Sequence, residues 1–317
     1  HLVGNLRLVL GKVLNQHTNG LKKMPAANNV KYEGPKRILI LGSSGQIGAY
    51  LTEYFKKKDY SVREFDIVNG DEQDIRRFEN PNLHAAISTA DFIFFLAFDV
   101  GGSRYLKKYQ HTFDFIHNNS RIMVNAFDYI KRYEKPFVFA SSQMSNMGHS
   151  PYGVLKNVGE LYTKSLNGLV VKFWNIYGIE KDMEKSHVIT DFIKKGFETG
   201  TIDMITDGKE EREFLYAEDC CEALDTIMDR YSEFTSDNEL HITSGNSTSI
   251  LEVARQIQLY FGGIQKEVEI VPSEAKDEVQ KDARNIADPF FRKWWEPRTS
   301  LVEGIGKVFN EMNNDKG

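Results

Sequence analysis

Cysteine is almost absent. The chain has two in 317 residues, and they are the neighbours Cys220 and Cys221. Adjacent residues cannot close an ordinary disulfide, and two thiols are too few for a structural zinc site. A disulfide scaffold is therefore excluded and no metal is expected. A reducing, cytoplasmic setting is the simplest expectation, with both thiols in the core. Long apolar runs are missing as well. The longest, around Phe92–Phe98, has the length of a strand, so no membrane span is expected. Positive charge is not in excess: the net charge is −5 and the pI about 6.0, which removes nucleic acid as an expected partner. Internal repeats and low-complexity tracts are absent too. Acidic residues are missing from His1–Tyr32, a stretch that carries Arg7, Lys12, Lys22, Lys23 and Lys31 and apolar residues at helical spacing. Residues 1–35 are set apart as an N-terminal extension, whether targeting segment, surface helix or expression tag. What remains is an ordinary globular composition, 41% hydrophobic and 27% charged, long enough for one large or two smaller domains.

The first element after the extension is Arg37-Ile-Leu-Ile-Leu41, a short continuous apolar run that reads as a buried parallel strand. Gly42, Gly45 and Gly48 follow at once, with Gln46 and Ile47 between the last two, and the chain then reads as a helix. Strand, glycine turn and helix in that order let the backbone approach a pyrophosphate at a helix N-terminus. A second strand ends at Asp66, about 20 residues beyond the turn, where a carboxylate takes the ribose hydroxyls of an adenosine. A carboxylate there would repel a 2′-phosphate, so NAD is expected rather than NADP. Asp74 and Ile75 come next, as an expected adenine contact. Further strands at Phe92–Ala97 and Pro136–Ser141 alternate with helical patterns such as Ile116–Lys131. That alternation predicts an α/β fold, a Rossmann-type doubly wound parallel sheet.

Tyr152 and Lys156 lie four residues apart, on one face of a predicted helix, with Ser142 ten residues before the Tyr. The ammonium favours the phenolate, and a phenol tuned toward neutrality can take a proton from a hydroxyl. Tyr and Lys are common, and an isolated match would be read as a solvated helix face. Downstream of the glycine turn it reads as a catalytic pair.

The ordered set of motifs resembles the extended short-chain dehydrogenase/reductases, in the branch of NAD-dependent nucleotide-sugar epimerases and dehydratases. The resemblance runs from Lys36 to about Gly306. It is carried by the Gly42–Gly48 turn, Asp66, Leu96-Ala97, Asn119, Ser141-Ser142, Tyr152-Gly-Val-Leu-Lys156, Asn175-Ile-Tyr-Gly178, Arg212–Asp219 and Trp295-Glu-Pro297. It implies that Leu96 and Ala97 flank the cofactor, that Ser142 holds the sugar C4 hydroxyl and that Tyr152 takes its proton. It also implies that Lys156 holds the nicotinamide ribose and that Asn175 and Arg212 contact the sugar nucleotide. On the residues alone, Arg212 would pair with Glu210 or Glu213. A homodimer through two helices, one bearing the Tyr/Lys pair, is implied as well. The expected layout is a cofactor domain over 36–178 with a return segment at about 214–243. A nucleotide-sugar domain would cover 179–213 and 244–317.

The departures from the family narrow the chemistry. Dehydratases of this family carry an Asp and a Glu after the Ser; here Gln143 and Met144 stand there, and neither exchanges a proton near neutrality. Ser186-His187-Val188-Ile189 and Val100-Gly101-Gly102 resemble GDP-sugar enzymes of the GDP-L-fucose synthase type, which tilts the base toward guanine. His187 is thus a catalytic candidate, and Gln143, Met144, His187 and Val188 are substrate-contact candidates. A Cys used by those enzymes is replaced by Met144. The insertion that most relatives carry before the Tyr is missing, which predicts a more open cavity on that side. Lys172 stands where relatives have an Arg.

The expected activity is NAD-dependent oxidation or reduction at C4 of a nucleotide sugar, similar to a GDP-heptose 4-dehydrogenase. The alternatives are 4-epimerisation (or 3,5-epimerisation) through a transient C4 ketone, and a non-catalytic NAD-binding regulator.

Overall fold

The computed structural model describes residues 37–280 and 285–314. The extension over residues 1–35 lies outside the described residues. In chain order the helices and strands are β1 (Arg37–Leu41), α1 (Gln46–Lys57), β2 (Ser61–Phe65), α2 (Pro81–Thr89), β3 (Phe92–Phe95), α3 (Ser103–Tyr109), α4 (Phe113–Tyr133) and β4 (Phe137–Ser142). They continue with α5 (Pro151–Ser165), β5 (Leu169–Phe173), β6 (Asn175–Tyr177), α6 (Val188–Thr199), β7 (Thr201–Asp203), β8 (Glu211–Tyr216), α7 (Ala217–Asp229), β9 (Glu239–Ile242), β10 (Ser247–Ser249), α8 (Ile250–Gly263), β11 (Glu269–Val271) and α9 (Leu301–Asn314).

Six strands form a parallel sheet in the order β2-β1-β3-β4-β5-β9. Its residues alternate between two cores. Ile38, Ile40, Phe92, Phe94, Val138 and Val171 pack with α1 and α7 on one face. Leu39, Leu41, Ile93, Phe95, Phe137 and Phe139 pack with α2, α4 and α5 on the other. Burial on both faces explains why the strands read as continuous apolar runs rather than alternating ones. The order reverses at β1, whose neighbours are β2 on one side and β3 on the other. A crevice opens at such a switch point, beyond the carboxyl ends of the strands.

Register decides what meets there. Leu41 pairs with Phe65 and with Phe95, so Gly42, Asp66 and Leu96 follow at one level. Ser142 pairs with Phe173, the last pair of β4 and β5, and Trp174 follows directly. After Trp174 the chain leaves the large sheet. Asn175 opens β6, which joins the smaller sheet β10-β8-β6. A third core there unites β6, β7 and β8 with α6, α8 and α9. β7 also pairs with β11.

Cys220 and Cys221 are buried on α7 as free thiols. Phe291 and Trp295 are core residues, as their apolar character implies. Among the described residues no helix is long and apolar enough to cross a membrane.

Candidate active site

One cavity of about 1190 Å³ follows the crevice from the glycine turn to the end of β4. That exceeds what a single drug-sized ligand needs and suits two large ligands side by side. Gly42, Gly45, Gln46, Ile47, Gly48, Asp66, Asp74, Ile75, Leu96 and Ala97 all line it. So do Ser142, Met144, Tyr152, Lys156, Asn175 and His187. Residues more than a hundred apart in sequence thus share one wall.

The turn fits a dinucleotide. Gly42 has φ +86°, in the left-handed region that glycine adopts without strain. A Cβ on Gly48 would lie 2.0 Å from the Gly42 carbonyl oxygen, so only glycine allows the helix to start so close to the turn. No side chain caps α1, which leaves its N-terminus facing the cavity for an anionic group. Asp66 accepts from the Ser44 N–H at 2.9 Å and from the Val68 N–H at 3.1 Å, so it braces the turn as well as lining the cavity. Asp74 is locked by Arg76, at 2.9 and 3.0 Å, and Arg76 lines the cavity beside it.

The helix carrying the Tyr/Lys pair starts by local rules. Ser150 accepts from the Gly153 N–H at 3.2 Å, and Pro151 fills the first helical position. This aims Tyr152 and Lys156 at the end of β4. The Ser142 hydroxyl hydrogen-bonds Tyr152 and accepts from the Met144 N–H at 3.1 Å. Lys156 Nζ donates to the Ala140 carbonyl at 2.6 Å and sits 3.8 Å above the Phe98 ring.

Electrostatics differ from the expectation of a phenol eased toward neutrality by its lysine. Burial pushes the Tyr152 pKa up to about 12, opposed by the Ser142 hydrogen bond. Burial pulls Lys156 down to about 7, opposed by the Glu160 carboxylate. For both groups lost hydration outweighs the partner that favours the charged form, Ser142 for the phenol and Glu160 for the ammonium.

Glu160 was not foreseen. It is buried one turn beyond Lys156, accepts the Ser141 hydroxyl and pairs with Lys172 at 3.6 Å. Lys172 also reaches Glu239 at 3.0 Å, and Glu239 meets His241, whose Nδ1 accepts the Trp174 indole N–H at 3.1 Å. Trp174 lines the cavity, so this chain, partly exposed at Glu239, runs from its wall to the middle of the Tyr/Lys helix. The signal available in the sequence was a carboxylate at i+4 from Lys156 on an otherwise buried helix face.

Three substrate candidates do not line the cavity. Arg212 on β8 forms an ion pair with Asp277 and donates to the Glu211 carbonyl at 2.7 Å, rather than pairing with Glu210 or Glu213. Val188, the first residue of α6, packs on the third core. Gln143 is buried; its amide donates to the Gln280 side chain at 2.8 Å, and its side-chain oxygen accepts from Asn285 at 2.6 Å. The side expected to be open is therefore covered: Gln280 lines the cavity, and Val279 packs in the same core as Met144 and Tyr152. The Asn175 side-chain oxygen is buried without a hydrogen-bond partner, as an oxygen reserved for a ligand would be.

Residues 38–242 match the NAD dependent epimerase/dehydratase family. The chain belongs to that family, an enzyme family that uses NAD. A curated relative, the putative UDP-glucose 4-epimerase of Methanocaldococcus jannaschii, is 23% identical over 88% of this chain and 99% of its own. Among solved structures, a GDP-6-OMe-4-keto-L-xylo-heptose reductase from C. jejuni superposes with a TM-score of 0.73 at 17% identity, covering 89% of this chain and 98% of its own. The Bordetella bronchiseptica enzyme WbmF, in complex with NAD+ and UDP, gives a TM-score of 0.74 at 17% identity over 89% and 94%. Both are similar in fold.

Proposed function

We propose that this enzyme oxidises or reduces C4 of a nucleotide-activated sugar. One observation carries the reading: Ser142, Tyr152 and Lys156 meet at the end of β4, while the two following positions, Gln143 and Met144, offer no acid or base. Ser142 holds the C4 hydroxyl and orients it. Tyr152 takes the hydroxyl proton during oxidation and returns it during reduction. Lys156, fixed by the Ala140 carbonyl, holds a positive charge near the phenol. NAD, when bound, would supply the hydride acceptor for C4 and a positive ring that offsets the cost of a buried phenolate. Asn175 and His187 contact the sugar nucleotide, with His187 as a further proton donor.

The base is guanine on this reading. Its support is the His187 segment and the Val100-Gly101-Gly102 turn, which line one end of the cavity together. A second reading, 4-epimerisation, uses the same residues and is favoured by likeness to the putative UDP-glucose 4-epimerase. Incubation with GDP- and UDP-sugars and NAD separates them. Net NADH absorbance supports C4 dehydrogenation. A changed sugar without net NADH supports the epimerase, and no turnover of any sugar overturns both.

The enzyme is a homodimer on this reading, working in a reducing cytoplasm. Phe113 and Val124 on α4 and Val154 and Leu161 on α5 form an apolar face, exposed by 74%, 50%, 45% and 62%. Faces of this kind mark association sites. Leu161→Asp is expected to convert a dimer to a monomer in light scattering, with the far-UV circular dichroism unchanged. A monomeric wild type would remove the dimer from the proposal.

A further inference from the structure

Trp174 is anchored by an imidazole. It lies between β5 and Asn175, lines the cavity, and donates its indole N–H to His241 Nδ1 at 3.1 Å. His241 is buried on β9, in register with Lys172 of β5. An indole N–H can only donate, so Nδ1 is bare and the neutral ring carries its proton on Nε2, which donates to Glu239 at 3.4 Å. A second proton would go to Nδ1. Two donors would then face each other, and the anchor would be lost. The Trp174 anchor and the imidazolium therefore exclude one another. The surroundings favour the neutral ring. Burial lowers its pKa below the ordinary 6.5, the Lys172 charge adds to the fall, and the Glu239 and Asp288 carboxylates oppose it. Lys172 lies between Glu239 and Glu160 of α5, at 3.0 and 3.6 Å, and Lys164 of α5 reaches Glu239 at 4.0 Å. The turn Pro289–Lys293 also packs on β9; there Arg292 donates to the Thr243 carbonyl at 2.7 Å, and Lys293 sits over the Phe290 ring.

We propose that His241 is a positioning residue for Trp174, and that the anchored indole is a binding wall for the nucleotide sugar. This deepens the nucleotide-sugar reading, and its binding arm rests on that reading. An indole offers a flat apolar face to sugar C–H groups or to a base, while its one polar atom needs a partner elsewhere. His241 is that partner and does not itself line the cavity, so it fixes the indole without competing for the ligand. Without the bond the indole N–H would have to seek water or the ligand, and the wall would lose its fixed position. Ligand and proton favour opposite states of one anchor. Affinity is therefore full above the His241 pKa and falls as pH drops through it, and bound ligand pulls that pKa further down.

The test uses the full chain with 15N-labelled histidine and tryptophan, the two signals being assigned by their loss in His241→Gln and Trp174→Phe. Above neutral pH, wild type should show a bare His241 Nδ1 and a coupling across the hydrogen bond to the Trp174 indole nitrogen. Both should disappear together on acidification, with one midpoint below 6.5. UDP-glucose and GDP-mannose serve as ligand probes. His241→Leu should weaken binding roughly fivefold, and kcat for a probe that turns over should change less than about twofold. Trp174→Leu should weaken binding roughly tenfold, and Trp174→Leu/His241→Leu should lose no more than Trp174→Leu alone. His241→Gln, whose side-chain oxygen can accept the indole N–H, should recover most of the affinity and lose the acid-side weakening of wild type. A protonated Nδ1 or no coupling to Trp174 in wild type, multiplying losses in the double variant, or acid-side weakening that persists in full in His241→Gln would each overturn the inference. If neither probe binds, the nucleotide-sugar reading fails instead, and the nitrogen spectra alone decide whether His241 positions Trp174.

Discussion

Replacing Tyr152 by Phe is expected to lower kcat for sugar oxidation about a thousandfold, while NAD binds as before. The phenol oxygen is the proton acceptor that the Ser142/Tyr152/Lys156 arrangement offers the C4 hydroxyl. Phe keeps the ring, including its edge-on contact with Phe98 at 5.8 Å, and removes the oxygen alone. The glycine turn and Asp66 lie at the other end of the cavity, so cofactor affinity should not move. Stability should change by about 1 kcal/mol or less, because the substitution removes one hydrogen bond with Ser142 and relieves the burial of a hydroxyl. Stopped-flow absorbance of NADH, a nucleotide titration and a thermal melt read the three quantities separately. Undiminished turnover in Tyr152→Phe would end the assignment of Tyr152 as the proton acceptor. Lost turnover with lost NAD binding would instead point to a damaged fold.

Sequence alone reached the parts of the fold and site that local rules determine. A strand buried on both faces reads as an apolar run, so β1, β3 and β4 were visible to within a residue or two. The glycine spacing is fixed by close approach within seven residues. The Tyr152/Lys156 spacing is fixed by one helical turn. The partners of these groups were hidden because nothing local specifies them. Gln143 meets Gln280 and Asn285 across about 140 residues, and this contact closes a side that the short loop before Tyr152 seemed to leave open. Asp277 takes Arg212 from 65 residues away, whereas Glu210 and Glu213, the neighbours in sequence, bond to Thr206 and Thr243. Glu180 and His187 are close in sequence, but the hydrogen bonds they make at 2.7 Å depend on a loop with no period to read. The direction of the Tyr152 and Lys156 pKa shifts was missed for a related reason. Pair charge is visible in a motif, whereas the depth of burial that opposes it belongs to the assembled core.

That burial makes a second large effect. Lys156→Met should abolish turnover and at the same time stabilise the nucleotide-free protein at neutral pH. Lys156 has a folded pKa of about 7 against an ordinary value of 10.5, so the unfolded chain binds the proton more tightly than the folded one. The sign follows from linkage: a charge whose folded pKa is depressed destabilises the fold fully below the folded pKa. The penalty shrinks as pH rises from about 7 to 10.5 and is gone above, where both states are neutral. Met has a similar length and no charge, so it removes the penalty; the Ala140 carbonyl loses its donor, which returns about 1 kcal/mol of it. The net gain should be a few kcal/mol, of order 5 °C in Tm at pH 6–7, and should vanish near pH 11. A melt series in pH on wild type and Lys156→Met measures it directly. Equal melting temperatures at pH 6 would mean that Glu160 compensates the ammonium in full. The gain appears only if the enzyme maintains a buried, underhydrated cation beside Tyr152, which is the condition for Lys156 to act on the phenol once a ligand fills the cavity.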